Sequence, residues 1–141
     1  MKAPRSVGRQ LIVLAALYLV TSLALGFAMA VTGNHALFSV HSHLGLLGWT
    51  TMGLTGIVYL VLPGCGDSVL ARVHFWLHNL GLPIMMAALA VFTVTGNASV
   101  QPAIGLGSLL VVAGLAAFTV NVIRNGAKGV RAGSPAQGIL G

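Results

Sequence analysis

Four long apolar runs, separated by short turns, leave this chain almost nowhere to build a water-soluble core. The runs cover residues 11–31, 38–62, 73–95 and 102–124. A bilayer core about 30 Å thick takes about 20 apolar residues per helix, so each run is read as one transmembrane helix. Charged residues make up 6% of the sequence, against about 25% in soluble domains. The expected fold class is therefore all-α: an integral membrane four-helix bundle spanning 11–124 as one domain. Residues 1–10 form a basic start, not a cleaved leader, because the first run is too long for a signal sequence. Residues 125–141, rich in Gly, Ala and Ser, read as a mobile tail.

The charges orient the bundle. Lys2, Arg5 and Arg9, then Arg72, then Arg124, Lys128 and Arg131 are all the basic residues. They occupy the N-terminus, the second turn and the C-terminus, and the first and third turns carry none. By the positive-inside rule both termini are cytoplasmic, and the expected location is a bacterial or archaeal inner membrane. A sequence pI near 11.0 would suggest nucleic acid in a soluble protein. Here the cations sit at helix ends and read as lipid head-group contacts, so the bilayer is the expected partner and nucleic acid is not. Asp67 is the single acid and Cys65 the single cysteine. That excludes a carboxylate pair, an intrachain disulfide, a four-cysteine metal site and a Cys-x-x-Cys-His haem attachment.

Within the second run, His41-Ser42-His43 places two imidazoles at membrane depth, where polar groups default to function. At about 100° per residue they lie about 200° apart on a helix and face different neighbours. Gly45, Gly48, Met52, Gly56 and Tyr59 fall near the face of His41, and Leu47, Thr50, Leu54 and Val61 near that of His43. The glycine row admits two readings. It can form a slot for a flat ligand beside an imidazole, which suits axial ligation of haem iron, or a small-residue helix contact, the commoner use of such a row. Trp49, Thr50 and Thr51 could support a ligand, but the threonines are more simply read as bonding their own helix. His74 and His78, one turn apart, could bind a metal or a second haem; the plainer reading is polar anchoring at the inner interface beside Trp76. His35 belongs to a solvated turn. Pro83 predicts a kink in the third helix.

Residues 39–86 resemble part of the large catalytic subunit of haem–copper oxidases and nitric oxide reductases. His41-Ser42-His43 with Tyr59 to Pro63 is similar to the family's tenth helix, and Arg72-Val73-His74-Phe75 with Gly81 to the start of its eleventh. The resemblance implies that His41 and His43 ligate haem iron on opposite sides of the helix, and that His74 and His78 do not. The copper-binding histidines and acidic proton-path residues of the family have no counterpart, so oxidase activity does not carry over. A four-helix chain resembles one arc of the family's threefold-pseudosymmetric fold, which a closed homotrimer would rebuild. Pairing His41 of one subunit with His43 of the next would give bis-histidine haem b at each subunit contact, lined by Gly45, Gly48, Met52 and Gly56. The expectation is a haem b electron carrier with an unidentified redox partner. Gas sensing, haem handling or oxidase assembly is one alternative; a haem-free transporter or structural protein is another.

Overall fold

The computed structural model describes residues 7–131. Lys2, Arg5 and the part of the tail beyond Arg131 lie outside the described residues. Within them the chain is helical and contains no strand. Four helices are long and apolar enough to cross a membrane. We label them α1 (Val7–Thr32), α2 (Phe38–Val61), α3 (Val69–Thr95) and α4 (Gln101–Arg131). Their outward faces are those of lipid-exposed helices: Leu17, Val20, Leu23, Phe27 and Val31 on α1 are all exposed, with no polar partner to seek.

The helix ends differ from the sequence expectation in three places. α1 begins at Val7, ahead of Leu11, and contains Arg9. α3 begins at Val69, so Arg72 lies in its first turn and not in the loop. The Ser68 hydroxyl caps this helix by accepting from Ala71 N at 3.0 Å, a local hydrogen bond that fixes the start regardless of where the apolar stretch begins. α4 continues past Arg124 to Arg131, so 125–131 is helix and not loose tail. A polar helical extension needs only solvent around it, and apolar content therefore marks the membrane span and not the helix end. α2 stops where expected. Leu62 leaves the helical region (φ −115°, ψ 80°), as the ring of Pro63 demands of the residue before it, and a single helical turn, Pro63–Gly66, follows. α3 runs continuously through Pro83.

The two opposite turns share one design. Val31-Thr32-Gly33-Asn34 and Val94-Thr95-Gly96-Asn97 repeat the same four residue types. Gly33 and Gly96 take φ of 67° and 69°, the left-handed conformation that ends a helix cheaply only with glycine. In each turn the threonine Oγ1 accepts from the asparagine N–H (3.3 and 3.2 Å). Each asparagine Oδ1 then accepts from the N–H two residues on (3.0 Å in both). These turns join α1 to α2 and α3 to α4 as antiparallel pairs.

Small residues set the spacing within each pair. A Cβ on Gly8 would lie 2.6 Å from Gly56 O, and one on Gly56 2.9 Å from Gly8 O. In the second pair a Cβ on Gly81 would lie 2.7 Å from Gly107 O and 2.9 Å from Val111 N. Such backbone approach is the usual basis of helix association in lipid. The Arg9, Arg72 and Arg124 ends of the helices lie together, opposite the two Thr-Gly-Asn turns. Between the pairs, one apolar cluster that includes Leu11, Met52, Leu82 and Val111 is joined by polar contacts such as His78 to Leu47 O.

The obstacles at Gly81 are backbone atoms that cannot swing aside. Gly81→Val is therefore expected to force α3 and α4 apart and lower stability by about 1–3 kcal/mol, the usual cost of overpacking. Gly105 has open space around it, and Gly105→Ala should be neutral or stabilising, as for a glycine in a helix interior. Thermal unfolding in detergent would separate the two.

Candidate functional site

His41 is held by one turn of α1. Its Nδ1 lies 2.8 Å from Ser22 O. A carbonyl only accepts, so Nδ1 carries the proton and donates. The Ser22 hydroxyl donates to His41 O at 3.0 Å. The ring rests where Gly26 has no side chain: a Cβ there would lie 2.9 Å from His41 Cε1. Ser22 and Gly26 thus form a seat for the imidazole, and Nε2 keeps its lone pair.

His43 points away from the pair. It is exposed, as are Leu46 and, further along α2, Leu54. Its Nδ1 donates to Ser39 O at 2.7 Å, one turn back in its own helix. Both imidazoles are therefore in the same tautomer, with Nδ1–H tied to a backbone carbonyl and Nε2 able to accept a proton or bind a metal. This is the arrangement that metal-ligating histidines use. The divergence of His41 and His43 agrees with the helical spacing.

The glycine row does not form an open slot. Tyr18 of α1 occupies the space beside Gly48, where a Cβ would lie 2.7 Å from its ring. Gly56 meets Gly8, Leu11 and Ile12, and Gly45 lies against the Ser22 hydroxyl. Met52 is fully buried, in the apolar cluster shared by all four helices. Within the single chain Gly45, Gly48 and Gly56 therefore take part in the α1–α2 contact, the small-residue packing that is the commoner use of such a row.

α2 also winds differently from the α-helix assumed in counting faces. Leu44–Thr51 is π-helical, a wider turn that advances less than 100° per residue and concentrates at functional sites. Thr50 and Thr51 hydroxyls donate to carbonyls five residues back, Gly45 O (3.1 Å) and Leu46 O (2.8 Å). Thr55 donates to Met52 O at 3.0 Å. The threonines thus bond their own helix, as the simpler reading had it.

His74 and His78 are not interfacial anchors. Both are fully buried, whereas Trp76 beside them is 60% exposed. His78 Nε2 donates to Leu47 O at 3.1 Å, within the π-helical segment and four residues beyond His43. The two histidine pairs are therefore not separated by most of the membrane. His74 Nδ1 lies 3.1 Å from the Tyr59 hydroxyl, with Phe118 packed 5.5 Å from both rings. Below Tyr59 the buried Asn121 donates to Cys65 O at 3.0 Å and accepts from Ser68 Oγ at 2.9 Å. Asn121 was not among the candidate residues. An asparagine inside an otherwise apolar run was the available signal. His35 is exposed in its turn, with Nδ1 donating to Gly33 O at 3.0 Å. Among the described residues no three His, Cys, Asp or Glu side chains converge as a metal cluster.

The chain matches no protein-family model, no curated protein sequence and no solved structure.

The tautomers are directly measurable. Nitrogen-15 spectra of histidine-labelled protein in lipid should show His41 and His43 protonated on Nδ1. Ser22→Ala leaves the carbonyl acceptor in place and should preserve the His41 tautomer. Gly26→Leu should displace the ring and change its shift.

Proposed function

We propose that the protein is a multi-pass haem b protein of the inner membrane in which His41 of one subunit and His43 of the next supply the two axial ligands. The assembly we infer is a closed homotrimer, each chain standing as one arc of a haem–copper oxidase-like fold with both termini cytoplasmic. The observation that carries the reading is His43. Its ring is fixed in the tautomer that leaves Nε2 free, on an exposed apolar face where its own chain offers that nitrogen no partner. An imidazole held so towards lipid is unfavourable alone and becomes favourable when a neighbouring subunit and an iron cover it. His41 fits the same role through its Ser22–Gly26 seat.

The remaining residues assigned to the site fit differently. Gly45, Gly48 and Gly56 lie against α1 and Met52 is buried in the core, so within one chain they support the helix that presents the histidines. The surface beside His43, with Leu46, Thr50 and Leu54, supplies this chain's apolar wall. Bound haem would supply one-electron redox chemistry; the chain's part is to hold two neutral imidazoles, exclude water and keep the site at fixed depth. Haem b fits because the single cysteine, Cys65, is buried in the turn that follows α2, at the other end of that helix from His41 and His43, and offers no thioether attachment. With both axial positions filled by histidine the fitting role is electron transfer. The packed glycine row favours the haem-free reading as the competitor, and an absorption spectrum of the reduced, purified protein distinguishes the two.

Haem and assembly should be linked, because a ligand that binds only the assembled state stabilises it. His41→Ala and His43→Ala should each empty the sites. Mixing the two variants should restore part of the haem, since a mixed trimer keeps one contact with both ligands. Full six-coordinate haem in either variant, or haem on a monomer, would exclude the shared site. The double variant His74→Ala, His78→Ala should keep its haem content. Carbon monoxide binding without loss of a histidine would turn the reading towards gas sensing.

Orientation is tested at the third turn. Asn97→Cys should react with a membrane-impermeant maleimide from outside. Native Cys65 should stay silent, because burial pushes its thiol pKa up and leaves little reactive thiolate. Labelling of residue 97 only from the cytoplasm would reverse the topology.

A further inference from the structure

A cleft of about 520 Å³ opens between α1 and α3 at the basic end of the bundle. Arg9, Gln10, Val13 and Leu14 of α1 line one side and Phe75 of α3 the other. Along α1 the lining is polar first and apolar beneath. Arg9 and Gln10 stand in the first turn of the helix. Val13 and Leu14 follow one turn deeper, about 6 Å further along the axis. Arg9 and Val13 are exposed, whereas Leu14 and Phe75 are half-buried, so the cleft is open on its outer side and closed by the bundle within. Phase75 also meets Trp76 edge to face, with ring centres 5.5 Å apart. Trp76 is 60% exposed, and tryptophan favours the head-group level of a bilayer.

We propose that this cleft binds one anionic phospholipid, with its phosphate on Arg9 and Gln10 and an acyl chain along Val13, Leu14 and Phe75. A guanidinium takes phosphate oxygens in a bidentate fork. Its five N–H donors accommodate a phosphate alongside contacts within the chain, and the Gln10 amide adds a neutral donor. A free phosphate would use the mouth of the cleft alone, whereas a lipid uses the mouth and the apolar floor together. Basic pockets between transmembrane helices are known places for such head groups.

Charge selects the anionic class. Among the described residues no acid lines the cleft. The only acid in the sequence is Asp67, in the turn between α2 and α3, and Arg72 and Arg124 add cations at the same end. The ammonium of a zwitterionic head group therefore finds no carboxylate in the cleft and meets a guanidinium instead. A second cleft, of about 250 Å³, lies at the opposite end against Thr32, Asn34 and Val94, and no charged residue lines it among the described residues. Head-group recognition by charge is thus confined to the basic end. The inference does not rest on haem being bound or on which side of the membrane the basic end faces.

The test is native mass spectrometry of the detergent-purified full chain offered phosphatidylglycerol and phosphatidylethanolamine with identical acyl chains. One phosphatidylglycerol per chain should be retained in preference. Arg9→Gln should lower its retention about tenfold, the scale of a hydrogen bond to a charged group. Val13→Trp, which fills the apolar part, should lower it as well. Arg124→Gln, at the same end but outside the cleft, should leave it unchanged. Excess inorganic phosphate should not displace the lipid. Equal retention of the two lipids, equal loss in the Arg9 and Arg124 variants, or displacement by inorganic phosphate would overturn the proposal. A second measurement decides should the Arg9 variant not fold. In bilayers, Trp49→Phe protein retains Trp76 as its single indole, and phosphatidylglycerol with brominated chains should quench it more than brominated phosphatidylethanolamine at the same mole fraction. Equal quenching by the two would overturn the site.

Discussion

At membrane depth there is no solvent to satisfy a polar group, and the positions of the polar side chains follow from that. Backbone groups are satisfied by helices, so the polar side chains must find carbonyls already in use or carbonyls freed by irregular winding. His41 and His43 share helix carbonyls, Ser22 O and Ser39 O. His78 reaches Leu47 O inside the π-helical segment, where the widened turn changes which carbonyls face inward. Asn121 gathers the loop carbonyl of Cys65 and the cap hydroxyl of Ser68. These bonds join helix pairs whose apolar surfaces gain little from one another in lipid. The polar contacts, His78 to Leu47 O, Tyr59 to His74 and Asn121 to Cys65 O, therefore act together with the apolar cluster where the two pairs meet.

The glycines act on the same problem from the other side. Close approach at Gly8–Gly56 and at Gly81–Gly107 seals one face of each helix pair. Sealing the α1–α2 face fixes what α2 leaves uncovered: Leu46, Leu54, Ile57 and Val61, all exposed, with His43 at the top of that stripe. On that helix His43 stands on the exposed face, while the His41 ring rests in its Ser22–Gly26 seat on α1.

Much of this was legible in the residues. The spans follow from apolar length, and the divergence of His41 and His43 from helical spacing. The end of α2 follows from Pro63. The repeated Thr-Gly-Asn turns were equally legible, because each residue's role there is local. Other features were hidden for physical reasons. The start of α3 depends on the Ser68 cap, which outweighs the presence of Arg72. The π-helical turns, in which the Thr50 and Thr51 hydroxyls reach Gly45 O and Leu46 O, are a winding that composition alone does not signal. The burial of His74 and His78 depends on tertiary partners, Tyr59 and Leu47, far away in sequence. Their position near a helix start suggested an interface, whereas their neighbours across the contact made it a core.

The near absence of acid ties these features together. With Asp67 the sole carboxylate, no buried histidine can be held as a cation by an ion pair. Each must remain neutral and offer one N–H and one lone pair. A neutral imidazole whose N–H is spent on a carbonyl is left with a single lone pair to place. In water that lone pair is solvated; in a core or against lipid it is not. His43 and His78 both stand in this state, one on an exposed apolar face and the other in the interior. The same constraint therefore leaves two lone pairs that no hydrogen bond among the described residues takes up, His78 Nδ1 in the interior and His43 Nε2 on the exposed face.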